Sequence, residues 1–230
     1  MEKVAEQKVL SEQPWTLRQD WVDGTIADYD SAISVRTLAW FSVVWNLFSW
    51  PFATAGLWST DSLFAWLALP VFPLVGIALV VLTLRKWRRE CKFGTSVFHC
   101  RTVPAWLGGR LQGTVSVSRA DASLARRDFK FRLVCVRKTL YRGRKSSDDR
   151  ESEEELWEEA TTGQTQWTGA PPLEISVDVP VPSDQPPTTM TPAASCTFWR
   201  LYVTCEVPGV DYKAVFEVPV FAPPVAQLAG

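Results

Sequence analysis

Two stretches without a single charge constrain this chain more than anything else in it. Residues 37–55 read TLAWFSVVWNLFSWPFATA, and residues 63–84 read LFAWLALPVFPLVGIALVVLTL. A helix needs about 20 predominantly apolar residues to cross a hydrocarbon core about 30 Å thick. Both stretches meet that length, so the sequence predicts a two-helix transmembrane hairpin over 37–84. The connection GLWSTDS is short enough to make the helices antiparallel. Pro70 and Pro73 fall inside the second stretch and are expected to kink it, because proline removes an N–H and clashes with the preceding turn. Asn46 lies midway along the first. In hydrocarbon an amide must find a partner, so Asn46 is expected to face the second helix or another copy of the chain, which leaves a homo-oligomer open.

The charges flanking the hairpin set its expected orientation. The loop has no Lys or Arg and one acid, Asp61, whereas Arg36 precedes the first stretch. After the second stretch, LVVLTLRKWRRECK at 79–92 brings Arg85, Lys86, Arg88, Arg89 and Lys92, with Trp87 among them. By the positive-inside rule both termini lie in the cytoplasm and only the short turn is outside. Arg85, Lys86, Trp87, Arg88, Arg89 and Lys92 then mark the inner interface, with membrane lipids as partners at about 1 kcal/mol per basic side chain. Twelve tryptophans agree with such a setting, since Trp gathers where one edge is apolar and the other wet. Trp50 and Trp58 fall at the outer interface and Trp40 near the inner one. A net charge of −1 offers no field for nucleic acid, and no broad basic face with stacking aromatics is present.

Beyond residue 93 the hydrophobic period changes to two. Leu111, Val115 and Val117 share one face of RLQGTVSV, and Phe129, Phe131, Leu133 and Cys135 share one face of FKFRLVCVR. LEISVDVPV, TFWRLYVTCEV and YKAVFEVPV alternate in the same way. With SVFHCRT and ELWEEA this makes about seven strands, the pattern of an antiparallel β-sandwich over 95–222. Residues 1–36 form a short cytosolic segment whose WVDGTI has strand character, 85–94 a basic collar, and 223–230 a tail. The charged run RGRKSSDDRESEEE at 142–155 reads as a solvated loop. The five prolines of PVPSDQPPTTMTPAAS at 180–195 read as an extended crossover, because proline cannot donate to a ladder.

These strands carry a resemblance. GGRLQGTV, FRLVCVR, the LW strand, the Pro-rich crossover and FWRLYV…VPGVDYKAVFEVPVF together resemble an arrestin-like or immunoglobulin-like sandwich. The whole chain resembles uncharacterised bacterial membrane proteins in which a two-helix hairpin precedes such a domain. The resemblance implies a fold, an anchored layout in a bacterial inner membrane and a leaning toward protein binding; it brings no ligand residue with it.

Catalytic chemistry is not expected. The single histidine, His99, has no partner in a recognisable triad or metal set, and no nucleophile elbow, phosphate loop or dinucleotide fingerprint occurs. The five cysteines form no C-x-x-C pair, which suits free thiols in a reducing compartment. The acids around 153–159 lack the spacing of a calcium loop. No cofactor and no metal are predicted. The functional expectation is a membrane-anchored, non-enzymatic scaffold that presents a β-sandwich to an unknown protein partner. The alternative is a ligand-sensing effector whose hairpins oligomerise and perturb the membrane.

Overall fold

Alternation becomes β-structure nearly everywhere it occurs. The computed structural model describes residues 13–29, 33–58, 69–120, 122–141, 150–167, 169–190 and 195–224. Its strands are β1 (Thr25–Ala27), β2 (Ser96–Cys100), β3 (Ala105–Trp106), β4 (Arg110–Val117) and β5 (Phe129–Tyr141), followed by β6 (Arg150–Gln166), β7 (Leu173–Pro180), β8 (Ser195–Cys205), β9 (Tyr212–Val218) and β10 (Val220–Phe221). Eight of them form one antiparallel sheet in the order β1-β2-β4-β7-β6-β5-β8-β9, and β10 pairs with β3 in parallel. The side chains that alternation assigns to one face, such as Phe131, Leu133, Ile175, Leu201 and Phe216, are 0–1% exposed. Each such side chain stabilises the fold by roughly 1.5–3 kcal/mol.

The 17-residue β6 turns the sheet into two facing halves. Its residues 150–163 pair with β5, and only Gln164–Gln166 pair with β7. At the bend stands Gly163, where a Cβ would run into the Phe131 ring. The ends of the sheet then meet. The Phe98 ring on β2 lies 5.8 Å from that of Phe216 on β9, and the Tyr212 hydroxyl hydrogen-bonds Ser96 Oγ at 2.9 Å.

Residues 13–29 close this arrangement from the outside. A 3-10 turn (Pro14–Leu17) and the short helix α1 (Gln19–Val22) precede β1. Trp21 donates its indole N–H to the Glu217 carbonyl at 3.0 Å, and the Val215 N–H donates to Asp28 Oδ1 at 2.9 Å. Arg18 pairs with Glu217 and Asp20. Burial works against the charge of that guanidinium, but the two carboxylates prevail and raise its pKa. These contacts occupy backbone groups of β9 that would otherwise form an open edge.

The chain divides into two compact units: residues 1–30 with 93–230, and residues 31–92. The second unit holds α2 (Val35–Trp58) and most of α3 (Val71–Phe93). Ser34 caps α2, its Oγ accepting the Thr37 N–H at 3.1 Å. The two helices pack through Trp45, whose indole N–H donates to the Phe72 carbonyl at 3.0 Å, and through Asn46.

This corrects the expected fold class. Among the described residues the protein is mostly β, with eight strands in one continuous sheet and a small parallel pair, rather than a transmembrane helical hairpin followed by a separate seven-stranded sandwich. Among the described residues no helix is long and apolar enough to cross a membrane. The physical reason differs between the helices. α2 has 24 residues, but its tryptophans, Asn46, serines, threonines and Pro51 dilute its hydropathy. α3 begins at Val71, so its charge-free part ends after about 14 residues, roughly 21 Å at 1.5 Å per residue. That falls short of a hydrocarbon core of about 30 Å. The connection 59–62 and residues 63–68 of the expected second span lie outside the described residues, as do 142–149 and 225–230. The inner-membrane localisation and the cytoplasmic placement of both termini rested on those spans and are withdrawn with them. The membrane-perturbing alternative loses the same premise.

Candidate functional site: an aromatic groove

Two tryptophans that belong to no alternating run define an aromatic concavity of the β unit. Trp15 sits in the 3-10 turn after Pro14, and Trp106 ends β3. Their rings meet edge to face at 5.5 Å, and Trp15 also lies 5.5 Å from the Phe221 ring on β10. Such contacts add roughly 0.5–1.5 kcal/mol each beyond burial and fix ring orientation. Around them a groove of about 590 Å³ is lined by Pro14, Pro187, Met190 and Pro224, with Thr188 and Gln13 as polar points.

The backbone holds this groove in shape. The Ala105 N–H donates to the Pro219 carbonyl and the Leu107 N–H to the Phe221 carbonyl, each at 2.9 Å. The Pro-rich crossover is pinned to β10 twice at Thr188. Its N–H donates to the Val220 carbonyl at 2.8 Å, and its Oγ1 accepts the Val220 N–H at 3.3 Å. Further along, the Pro186 carbonyl accepts the Trp199 indole N–H at 3.1 Å. The crossover is therefore bonded to both β8 and β10. Trp15 and Trp106 remain partly exposed while Phe221 is buried, so the rings offer edges and faces to a ligand over an apolar floor.

A second concavity, of about 510 Å³, lies on the β2-β4-β7 half of the sheet. Register places His99 opposite Thr114, and Thr114 opposite Ser176. In the next row Gln112 faces Asp178, which accepts hydrogen bonds from Arg110 at 2.6 Å and Gln112 at 3.3 Å. The Arg110 bond, chiefly, holds the Asp178 carboxyl below its usual range. This is a polar sheet face in which Arg110, Gln112 and Asp178 satisfy one another, and His99 lies on it beside Thr114.

The residues singled out from sequence are dispersed. Arg85, Lys86, Trp87, Arg88, Arg89 and Lys92 occupy the last turns of α3, where cations complement the helix dipole. Lys86 approaches Glu90 at 3.8 Å, and Trp87 is exposed. Asn46 donates to the Gly76 carbonyl at 3.1 Å and to Ser42 at 2.8 Å, while its Oδ1 accepts from Trp50 at 3.3 Å. Of the two partners weighed for this amide, its bonds go to its own helix and the neighbouring one. Pro70 lies in the turn before α3 and Pro73 in its first turn. There the missing N–H has no intrahelical acceptor to lose, so neither proline interrupts the helix interior; the internal proline is Pro51 of α2. All five cysteines are free thiols. Burial pushes Cys100 up to about 12 and Cys135 to about 11, leaving both thiols protonated at neutral pH.

The groove residues Trp15, Trp106, Met190 and Phe221 were not among those singled out. The available signal was an indole outside any strand pattern, with no core position assigned to it. No protein-family model matches the chain, and no curated protein matches it. Among solved structures, the chain is similar to the crystal structure of Spo0M, a sporulation control protein from Bacillus subtilis, at 16% identity and a TM-score of 0.35. The match covers 56% of this chain and 49% of that one, about half its length. Nothing about fold or function is drawn from a likeness of that size.

Proposed function

We propose that this chain is a non-enzymatic protein-interaction module whose β unit receives an extended, proline-containing segment of a partner protein. The observation that carries this reading is the groove between Trp15, Trp106 and Phe221. Aromatic-lined grooves suit polyproline II segments, because such ligands are already extended and lose little entropy on binding. The groove already takes proline rings from its own chain, Pro14, Pro187 and Pro224. Its polar points Gln13 and Thr188 are uncharged and can fix register without demanding an ion pair.

The test is a panel of proline-containing peptides titrated against the full chain, read by tryptophan fluorescence. Binders at micromolar Kd or better are expected, weakened at least about tenfold by Trp106→Ala, a loss of roughly 1.4 kcal/mol or more. A panel without binders, or binders indifferent to Trp106→Ala in a variant of unchanged circular dichroism, overturns the proposal.

A further inference from the structure

We infer that the outer edge of β6 accepts a lysine- or arginine-rich extended segment of a protein partner as one more strand of the sheet. Along residues 150–163, β6 is paired on one side only, with β5; β7 joins its other side no earlier than Gln164. Among the described residues no further strand lies along that edge. A strand left in this state presents a row of N–H and C=O groups, the template on which strand addition is built. At about 3.4 Å per residue the open edge is on the order of 40 Å long.

Charge selects the occupant. β6 presents six glutamates between positions 151 and 159, and the basic residues of its own sheet meet only part of them. Lys138 holds Glu151 at 2.6 Å, Arg200 holds Glu153 at 3.0 Å, and Arg132 reaches Glu155 and Glu158 at 3.5 and 2.8 Å. Glu154 and Glu159 are exposed and make no ion pair among the described residues. Like charges on neighbouring strands are destabilising. An acidic strand, including β6 of a second copy, is therefore repelled, and a basic one is drawn in. This contact is separate from the aromatic groove and does not depend on it.

Titration of the full chain with a labelled nine-residue peptide alternating lysine with valine or threonine tests the inference. Two comparison peptides are needed: one with glutamate in place of lysine, and the basic peptide N-methylated at alternate residues. Binding is expected for the basic peptide alone. It should weaken at least about fivefold in Glu154→Lys/Glu159→Lys, and be unchanged in Trp106→Ala, which separates this result from that of the groove. Equal binding of the N-methylated peptide would reduce the effect to unspecific charge attraction and overturn the inference. No binding of the basic peptide would mean the acids only guard the edge, which also overturns it. Should the double variant fold poorly, the peptide comparison on the unaltered chain still decides.

Discussion

At the residue scale, charge pairs on the β5-β6-β8 surface supply a pH dependence whose sign follows from their geometry. Arg200 is largely covered and grips Glu153 with two N–H groups, at 3.0 and 3.3 Å. That hydrogen-bonding, more than charge at a distance, holds the Glu153 carboxyl below its ordinary value of 4.5. A carboxyl with a lowered folded pKa contributes stability above its unfolded pKa and loses it as pH falls through the folded value. Glu153 is half-exposed, so after solvent screening the pair is worth at most about 1 kcal/mol. Thermal melts should place Glu153→Gln below the unaltered chain at pH 7, with the gap closing as pH drops from about 4.5 toward the lowered folded value. A gap that stays constant across that range would show that the pair contributes nothing through ionisation.

At the element scale, β6 joins the two halves of the sheet, and Gly163 permits its bend. A methyl group at this position would collide with the buried Phe131 ring, so either the ring or the strand must shift. Gly163→Ala should therefore cost about 1–3 kcal/mol, measured as a lower urea midpoint at an unchanged slope; a neutral outcome would show that β6 can turn without a glycine. This element also shows what the sequence made legible. Strands with one apolar face, β4, β5, β7, β8 and β9, could be read from alternation because burial imposes that alternation. The first half of β6 could not. Its glutamates look like a solvated loop until the register sets Glu153 and Glu154 opposite Lys138 and Arg137, a non-local fact. The apolar helices misled for a related reason. A charge-free stretch is necessary for a span but not sufficient: the charge-free part of α3 runs only from Val71 to Leu84, and tryptophan and asparagine dilute α2. The groove residues escaped because Trp15 and Trp106 become neighbours only once the turn, the parallel β3-β10 pair and the crossover are assembled.

At the scale of the whole molecule, the helical unit is an insertion into a β-hairpin. β1 and β2 pair antiparallel through Thr25↔His99, Ile26↔Phe98 and Ala27↔Val97, so the chain leaves and re-enters the β unit at adjacent positions. Loop closure grows only slowly with loop length, about 0.6 kcal/mol per doubling, so the ladder tolerates a long excursion. Replacing residues 31–92 by a short Gly/Ser linker should leave a β unit that unfolds cooperatively and keeps its tryptophan environment, read by near-ultraviolet circular dichroism. Collapse of that signal would show that the helices are needed to fold the sheet. The same adjacency has a mechanical meaning. Tension that draws the two connecting strands apart acts at the open end of a three-residue ladder and breaks its bonds one after another, like a zipper. A load applied along β5 and β8 would instead strain ten paired positions together. Force entering by way of the helices would thus peel β1 away and expose Ile26 while the sheet behind it stayed intact.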